Sequence, residues 1–104
     1  MFLFLFVPPV PPQFIEIPDK VTKVTGNLVA SLSCRALGFP PPTVVWSRGL
    51  VPLPKNRSTV TNGTLNILNF SPEDAGPYQC KATNKLGSVT ALTTLNYVPP
   101  GKSR

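Results

Sequence analysis

Between residues 14 and 98, apolar and polar residues alternate in short runs, and turn-forming residues separate the runs. Period two is the signature of a pleated strand, whose successive side chains point to opposite faces. One run sets Leu28, Ala30, Leu32 and Cys34 against Val29, Ser31 and Ser33. In the next, Val44 and Trp46 share a face. After Asn62-Gly63, a hairpin-type turn, Leu65 and Ile67 oppose Thr64 and Asn66. Tyr78, Cys80 and Ala82 alternate with Gln79, Lys81 and Thr83, and a last run puts Val89, Ala91, Leu95 and Tyr97 in phase. No stretch carries an apolar stripe at i, i+3, i+4, i+7 over three turns. The one helical signal is a single turn at Ser71–Asp74, with Ser71 as cap and Pro72 at the first position. Several short alternating strands predict two packed sheets.

The chain has 104 residues, enough for one domain, and 41% of them are apolar, enough for one small core. No apolar run reaches the length of a membrane span. Histidine is absent, which removes the commonest general base and metal ligand. With two cysteines and no histidine, the usual four-ligand Cys/His zinc site cannot be built. Glu73 and Asp74 are neighbours in a turn, a spacing that does not hold two carboxylates across a substrate. Gly26, Gly38, Gly49, Gly63, Gly76 and Gly87 fall at turn positions, so no phosphate-cradling loop is formed. The expectation is a non-catalytic domain without metal or cofactor.

The ends read differently from the middle. Residues 1–13 are expected to lie outside the domain, as a signal remnant or a boundary segment. Met1–Val7 is apolar, but it has no basic flank and no small-residue cleavage site. Phe2–Phe6 is also an uncharged, β-prone window and a self-association hazard. Residues 99–104, opening on Pro99-Pro100, read as a linker toward a neighbouring domain of a longer parent.

Cys34 is followed by Trp46 after 12 residues and by Cys80 after a further 34, and Tyr78 stands two before Cys80 inside Asp74-Ala-Gly-Pro-Tyr-Gln-Cys80. With Gly38-Phe-Pro40-Pro-Pro42-Thr-Val44-Val-Trp46, Gly63-Thr-Leu65-Asn-Ile67 and Ala82-Thr-Asn84-Lys-Leu-Gly87, this order resembles the immunoglobulin superfamily, and within it the I-set. The resemblance covers residues 14–98. It implies an all-β, two-sheet antiparallel Greek-key sandwich with one inter-sheet disulfide, Cys34–Cys80. Closing that loop is expected to stabilise the fold by roughly 4 kcal/mol. Trp46 would pack on the bridge, the Tyr78 hydroxyl would bond backbone at the preceding turn, and Asp74 would pair with Arg57. Three features depart from the pattern. The Gly26–Cys34 spacing is one residue long, Ala30 holds a slot usually given to a larger side chain, and Pro77 enters a strand where a ladder donor would be lost. Arg48 has inward parity, so its head is expected to snorkel out.

The function implied by the resemblance is a non-catalytic protein-recognition or cell-adhesion module, extracellular or at the cell surface, beside neighbouring immunoglobulin or fibronectin-type domains. The alternatives are a structural spacer in a tandem array, extracellular or in an intracellular filament, and a ligand-binding accessory domain of a receptor kinase. Two cysteines at this spacing suit an oxidising compartment. Three sequons, at Asn56, Asn62 and Asn69, point the same way. None falls on the strands expected to form one face of the sandwich. That face, exposing Val45, Ser47, Gln79, Lys81, Thr83 and Leu92 together with the loop tip at Phe39, is the expected partner-binding surface. The partner is a protein, homophilic or heterophilic. A net charge of +6 also admits a sulfated glycan or an acidic partner. Nucleic acid is not expected, because no basic cluster is interleaved with aromatics.

Overall fold

The computed structural model describes residues 7–101. It contains β1 (Val10–Glu16), β2 (Val21–Thr25), β3 (Ala30–Ser33), β4 (Arg35–Phe39), β5 (Thr43–Ser47), β6 (Ser58–Thr61), β7 (Thr64–Ile67), a 3-10 turn (Pro72–Asp74), β8 (Gly76–Asn84) and β9 (Gly87–Val98). One layer is a sheet ordered β2-β9-β8-β5. The other is built from the β3-β7-β6 sheet and the β1-β4 pair, with Cys34 standing between β3 and β4. All pairings between the named strands are antiparallel except β2 with β9, which run parallel at the edge of their sheet.

The domain starts earlier than the sequence suggests. Val10–Gln13 belongs to β1, not to a segment outside the domain: Val10 pairs with Phe39 and Gln13 with Leu37. The prolines hid this strand. A register shift between Val10 and Gln13 takes up Pro11 and Pro12, and an edge strand tolerates both the bulge and the missing donors. Pro12 is buried. Met1–Phe6, including the expected self-association window, lie outside the described residues. At the other end β9 stops at Val98, and Pro99–Gly101 are irregular.

The chain crosses between layers at Ile17–Lys20. Thr94 N donates to Lys20 O at 2.8 Å, and the Thr93 hydroxyl donates to Asp19 O at 2.6 Å. This crossing places β2 alongside the second half of β9, where Val21 pairs with Thr94 and Thr25 with Val98.

Ala30, Leu32, Cys34, Trp46, Leu65, Ile67, Phe70, Tyr78, Cys80, Ala91 and Leu95 form the core between the layers. Leu28 does not join it and is 58% exposed, against the reading that put it in phase with Ala30. The turn at Gly26-Asn27, with Asn27 at φ +70°, ends just before it, so Leu28 precedes β3 and takes no place in the strand's alternation. Its carbonyl accepts from Phe70 N at 2.9 Å, and Phe70 fills the core instead. Pro77 does no damage to β8. It faces Thr94, whose N–H goes to Lys20, so Pro77–Thr94 is a pair that exchanges no ladder bonds and no donor is missed.

Candidate binding face and the corner that supports it

The β2-β9-β8-β5 sheet turns one face to solvent, and its register assembles that face rung by rung. Val45 lies opposite Lys81, which lies opposite Thr90. Ser47, Gln79 and Leu92 form the next rung, and Thr43, Thr83 and Ser88 the rung on the other side. Lateral neighbours on such rungs stand about 5 Å apart, so these side chains make one surface. Val21 continues it beside Thr94, and Lys23 beside Asn96. Val45 is 57% exposed and Leu92 66%, on a face whose charges are lysines and which carries no carboxylate. Phe39 is not brought to this face. It is the last residue of β4 and pairs with Val10, so strand alternation turns it outward on the opposite layer.

Asn56, Asn62 and Asn69 are exposed, and all three adopt left-handed backbone, with φ of 65°, 50° and 51°. Asparagine tolerates this region in turns better than most residues. They flank β6 and β7 and lie off β5, β8 and β9.

Beneath the rungs sits a rigid corner. Cys34 and Cys80 are joined by a disulfide across the layers, with Cα atoms 6.6 Å apart. Trp46, cross-strand partner of Cys80, is buried, and its Nε1 donates to Gly63 O at 3.0 Å. The Tyr78 hydroxyl donates to Asp74 O at 2.8 Å. Arg57 holds the Asp74 carboxylate through both ends, Nη1 to Oδ2 at 2.8 Å and Nη2 to Oδ1 at 2.9 Å. Ser71 N donates to the same carboxylate at 2.9 Å.

Burial pushes the Asp74 carboxyl up, but the Arg57 hydrogen bonds, the Ser71 N–H and the nearby arginine charges outweigh it. The carboxyl is held below the ordinary aspartate range. The Asp74 hydrogen bonds raise Arg57 in turn, and burial raises the Tyr78 phenol.

Four residues complete this framework without having been singled out for it from the sequence. Arg48 does not carry its head away into solvent. Its guanidinium lies 4.8 Å from the Tyr78 ring centroid, and its Nη2 donates to Glu73 O and Ala75 O, both at 3.1 Å. Thr93 is buried in phase with Ala91 and Leu95, a parity visible in the sequence. Asn84 Nδ2 donates to Val10 O at 2.7 Å and Pro40 O at 3.1 Å, tying three segments at one end of the domain. Gly63 receives Trp46, and no local pattern announces that contact.

Among the described residues no cluster of three His, Cys, Asp or Glu side chains gathers, and no helix is long and apolar enough to cross a membrane. The chain is thus a disulfide-pinned two-layer β-sandwich with one sheet face turned to solvent. Residues 11–84 match the family model described as an immunoglobulin domain, and the chain belongs to that family. It is 39% identical over 90 residues to Brother of CDO from Homo sapiens, covering 80% of this chain and 8% of that protein. It is 42% identical over 88 residues to hemicentin-2 from Mus musculus, covering 83% of this chain and 2% of that protein. Among solved structures, sidekick-1 immunoglobulin domains 1–4 superpose with a TM-score of 0.82 at 35% identity, over 86% of this chain and 25% of that one. The chain thus spans a small part of each relative.

Proposed function

We propose that this domain works outside the cell or at its surface, as a non-catalytic recognition module that binds a protein partner through the β2-β9-β8-β5 face. One observation carries the reading. Val45, Lys81, Thr90, Ser47, Gln79 and Leu92 form two adjacent rungs of one solvent-facing sheet face with exposed aliphatic side chains and no carboxylate, while every sequon lies away from it. A face of mixed aliphatic and hydroxyl side chains around one lysine suits a protein surface with acidic character. In a longer parent, neighbouring immunoglobulin or fibronectin-type domains would space this face from the membrane.

The test uses the secreted chain, multimerised, against an array of cell-surface ectodomains that includes the chain itself. Binding is expected to be lost with Lys81→Glu or Leu92→Asp and kept with Thr59→Lys on the other layer. Binding that survives both face substitutions and is lost with Thr59→Lys would move the interface to the opposite layer. Retention on heparin that is lost with Lys81→Glu would assign the face to a sulfated glycan instead.

A further inference from the structure

We infer that N-linked glycans on Asn56 and Asn62 guard the open edge of β6 against strand pairing with a second copy of this chain. The inference rests on the extracellular reading above. β6 ends its sheet and pairs with β7 alone. The two-residue loop Asn62-Gly63 makes Thr61–Thr64 a hydrogen-bonded pair, and alternation gives the same role to Thr59–Asn66. The backbone of Val60, between them, therefore directs its N–H and C=O to the open side. The bond from Leu68 N to Arg57 O at 2.7 Å fits the same alternation.

Such an edge is a template for another strand. Proteins usually blunt it with a lysine, a proline, a bulge or a covering element. Ser58-Thr-Val-Thr61 has no charge, no proline and no register shift, and three of its four residues are β-branched. What stands beside it is a sequon at each end: Asn56-Arg-Ser58 runs into the strand, and Asn62-Gly-Thr64 leaves it. Both asparagines are exposed, and among the described residues neither side-chain amide takes part in a hydrogen bond. The strand between them spans only about 13 Å, less than the reach of two branched oligosaccharides. Asn62 also lines the cleft of about 400 Å³ that opens beside Pro42, Val44 and Val60. Two other sheet-end strands, β3 and β5, are also uncharged; neither carries a sequon, and β5 belongs to the proposed binding face. The two sequons thus flank β6 alone among these edges.

The experiment compares self-association of the secreted chain before and after trimming with an endoglycosidase that leaves one N-acetylglucosamine on each asparagine. Enzymes that remove the whole glycan convert asparagine to aspartate and would add charge to the edge. In parallel, Asn56→Gly/Asn62→Gly removes both sequons while keeping the left-handed backbone unstrained, and Asn69→Gly serves as the control. By sedimentation velocity, the intact chain and Asn69→Gly should be monomeric. The trimmed chain and the double variant should self-associate roughly tenfold more tightly or better. Val60→Lys added to the double variant should restore the monomer, and Val45→Lys should not. A double variant that stays monomeric at every concentration overturns the inference. So does association that persists with Val60→Lys, or that Val45→Lys abolishes, because another surface is then responsible. Glycopeptide mapping separates the two levels. Occupied sites without edge pairing overturn the guard alone, whereas bare Asn56 and Asn62 on a secreted chain overturn the guard and remove the glycan argument for the bare face.

Discussion

The indole of Trp46 and the N–H of Cys34 share one acceptor, the carbonyl of Gly63, each at 3.0 Å. Gly63 has φ +81°, and a Cβ there would run into the Cys34 carbonyl. The β6–β7 turn is therefore seated on the disulfide and its tryptophan, and only glycine fits the seat. Gly63→Ala is expected to destabilise by about 2 kcal/mol or more, through left-handed strain and displacement of the turn. Urea unfolding measures this, and Asn62→Gly in the same turn is expected to cost less than 1 kcal/mol.

Arg57 and Asp74 test the corner. The Asp74 side chain is nearly inaccessible and that of Arg57 is 27% exposed, so the pair is only partly screened by water. Arg57→Ala strands a buried carboxylate and should cost roughly 2–4 kcal/mol. Asp74→Asn should cost less, because the neutral amide still accepts hydrogen bonds. A double-mutant cycle of Arg57→Ala with Asp74→Asn should show clear coupling.

The same pair sets the acid limit. Asp74 has its folded pKa below the unfolded value, so it contributes stability above the unfolded pKa of about 3.9, and that contribution is lost as pH falls through the folded value. Urea midpoints should hold from neutral pH to about 5 and decline below about 4. Arg57→Ala removes the side-chain hydrogen bonds and a charge that lower the carboxyl, so this part of the acid decline should shrink. Tyr78 has its folded pKa raised, so its contribution is present below about 10 and is lost as pH climbs past that value.

Reduction of Cys34–Cys80 should cost roughly 4 kcal/mol in the chain-entropy account. Intact mass before and after reduction, followed by thermal unfolding of both forms, checks the bond and its contribution.

β1 offers a fifth test. A chain beginning at Phe14 loses the Val10–Phe39 pairing and the Asn84–Val10 hydrogen bond, while one beginning at Val7 keeps both. The shorter chain should be less stable by about 1–3 kcal/mol.

Alternation in β7, β8 and β9 was sufficient to place Leu65, Ile67, Tyr78, Cys80, Ala82, Ala91 and Leu95 between the layers, because each of those strands is bounded by a clear turn and buried on one side. The same reasoning failed for Leu28, where a left-handed Asn27 resets the phase, and for Val10–Gln13, where prolines erase the pattern that the bulge preserves. Parity alone puts Val45, Ser47, Gln79, Lys81, Thr83 and Leu92 on one sheet face, the face proposed for binding. Phe39 is not among them, since its membership depends on how far β4 continues, and that is a tertiary matter. Arg48 shows the same limit: its parity was readable, but the Tyr78 ring and the turn carbonyls that hold it come from distant segments.

The crossing at Ile17–Lys20 gives the sandwich the construction of a bound book. Along one side a single strand run, β1 into β2, is stitched first to one cover and then to the other, a spine that cannot part without breaking ladder bonds of both sheets. Along the opposite side β5 and β6 face each other as a fore-edge, with the cleft at Val44 and Val60 between them and the Trp46 indole reaching across as a clasp. Thermal opening must begin at the fore-edge, so amide protons around β6 and the Asn62-Gly63 turn should exchange well before those of β2 and the second half of β9. Undoing the clasp with Trp46→Phe should hasten the first set and leave the second nearly unchanged.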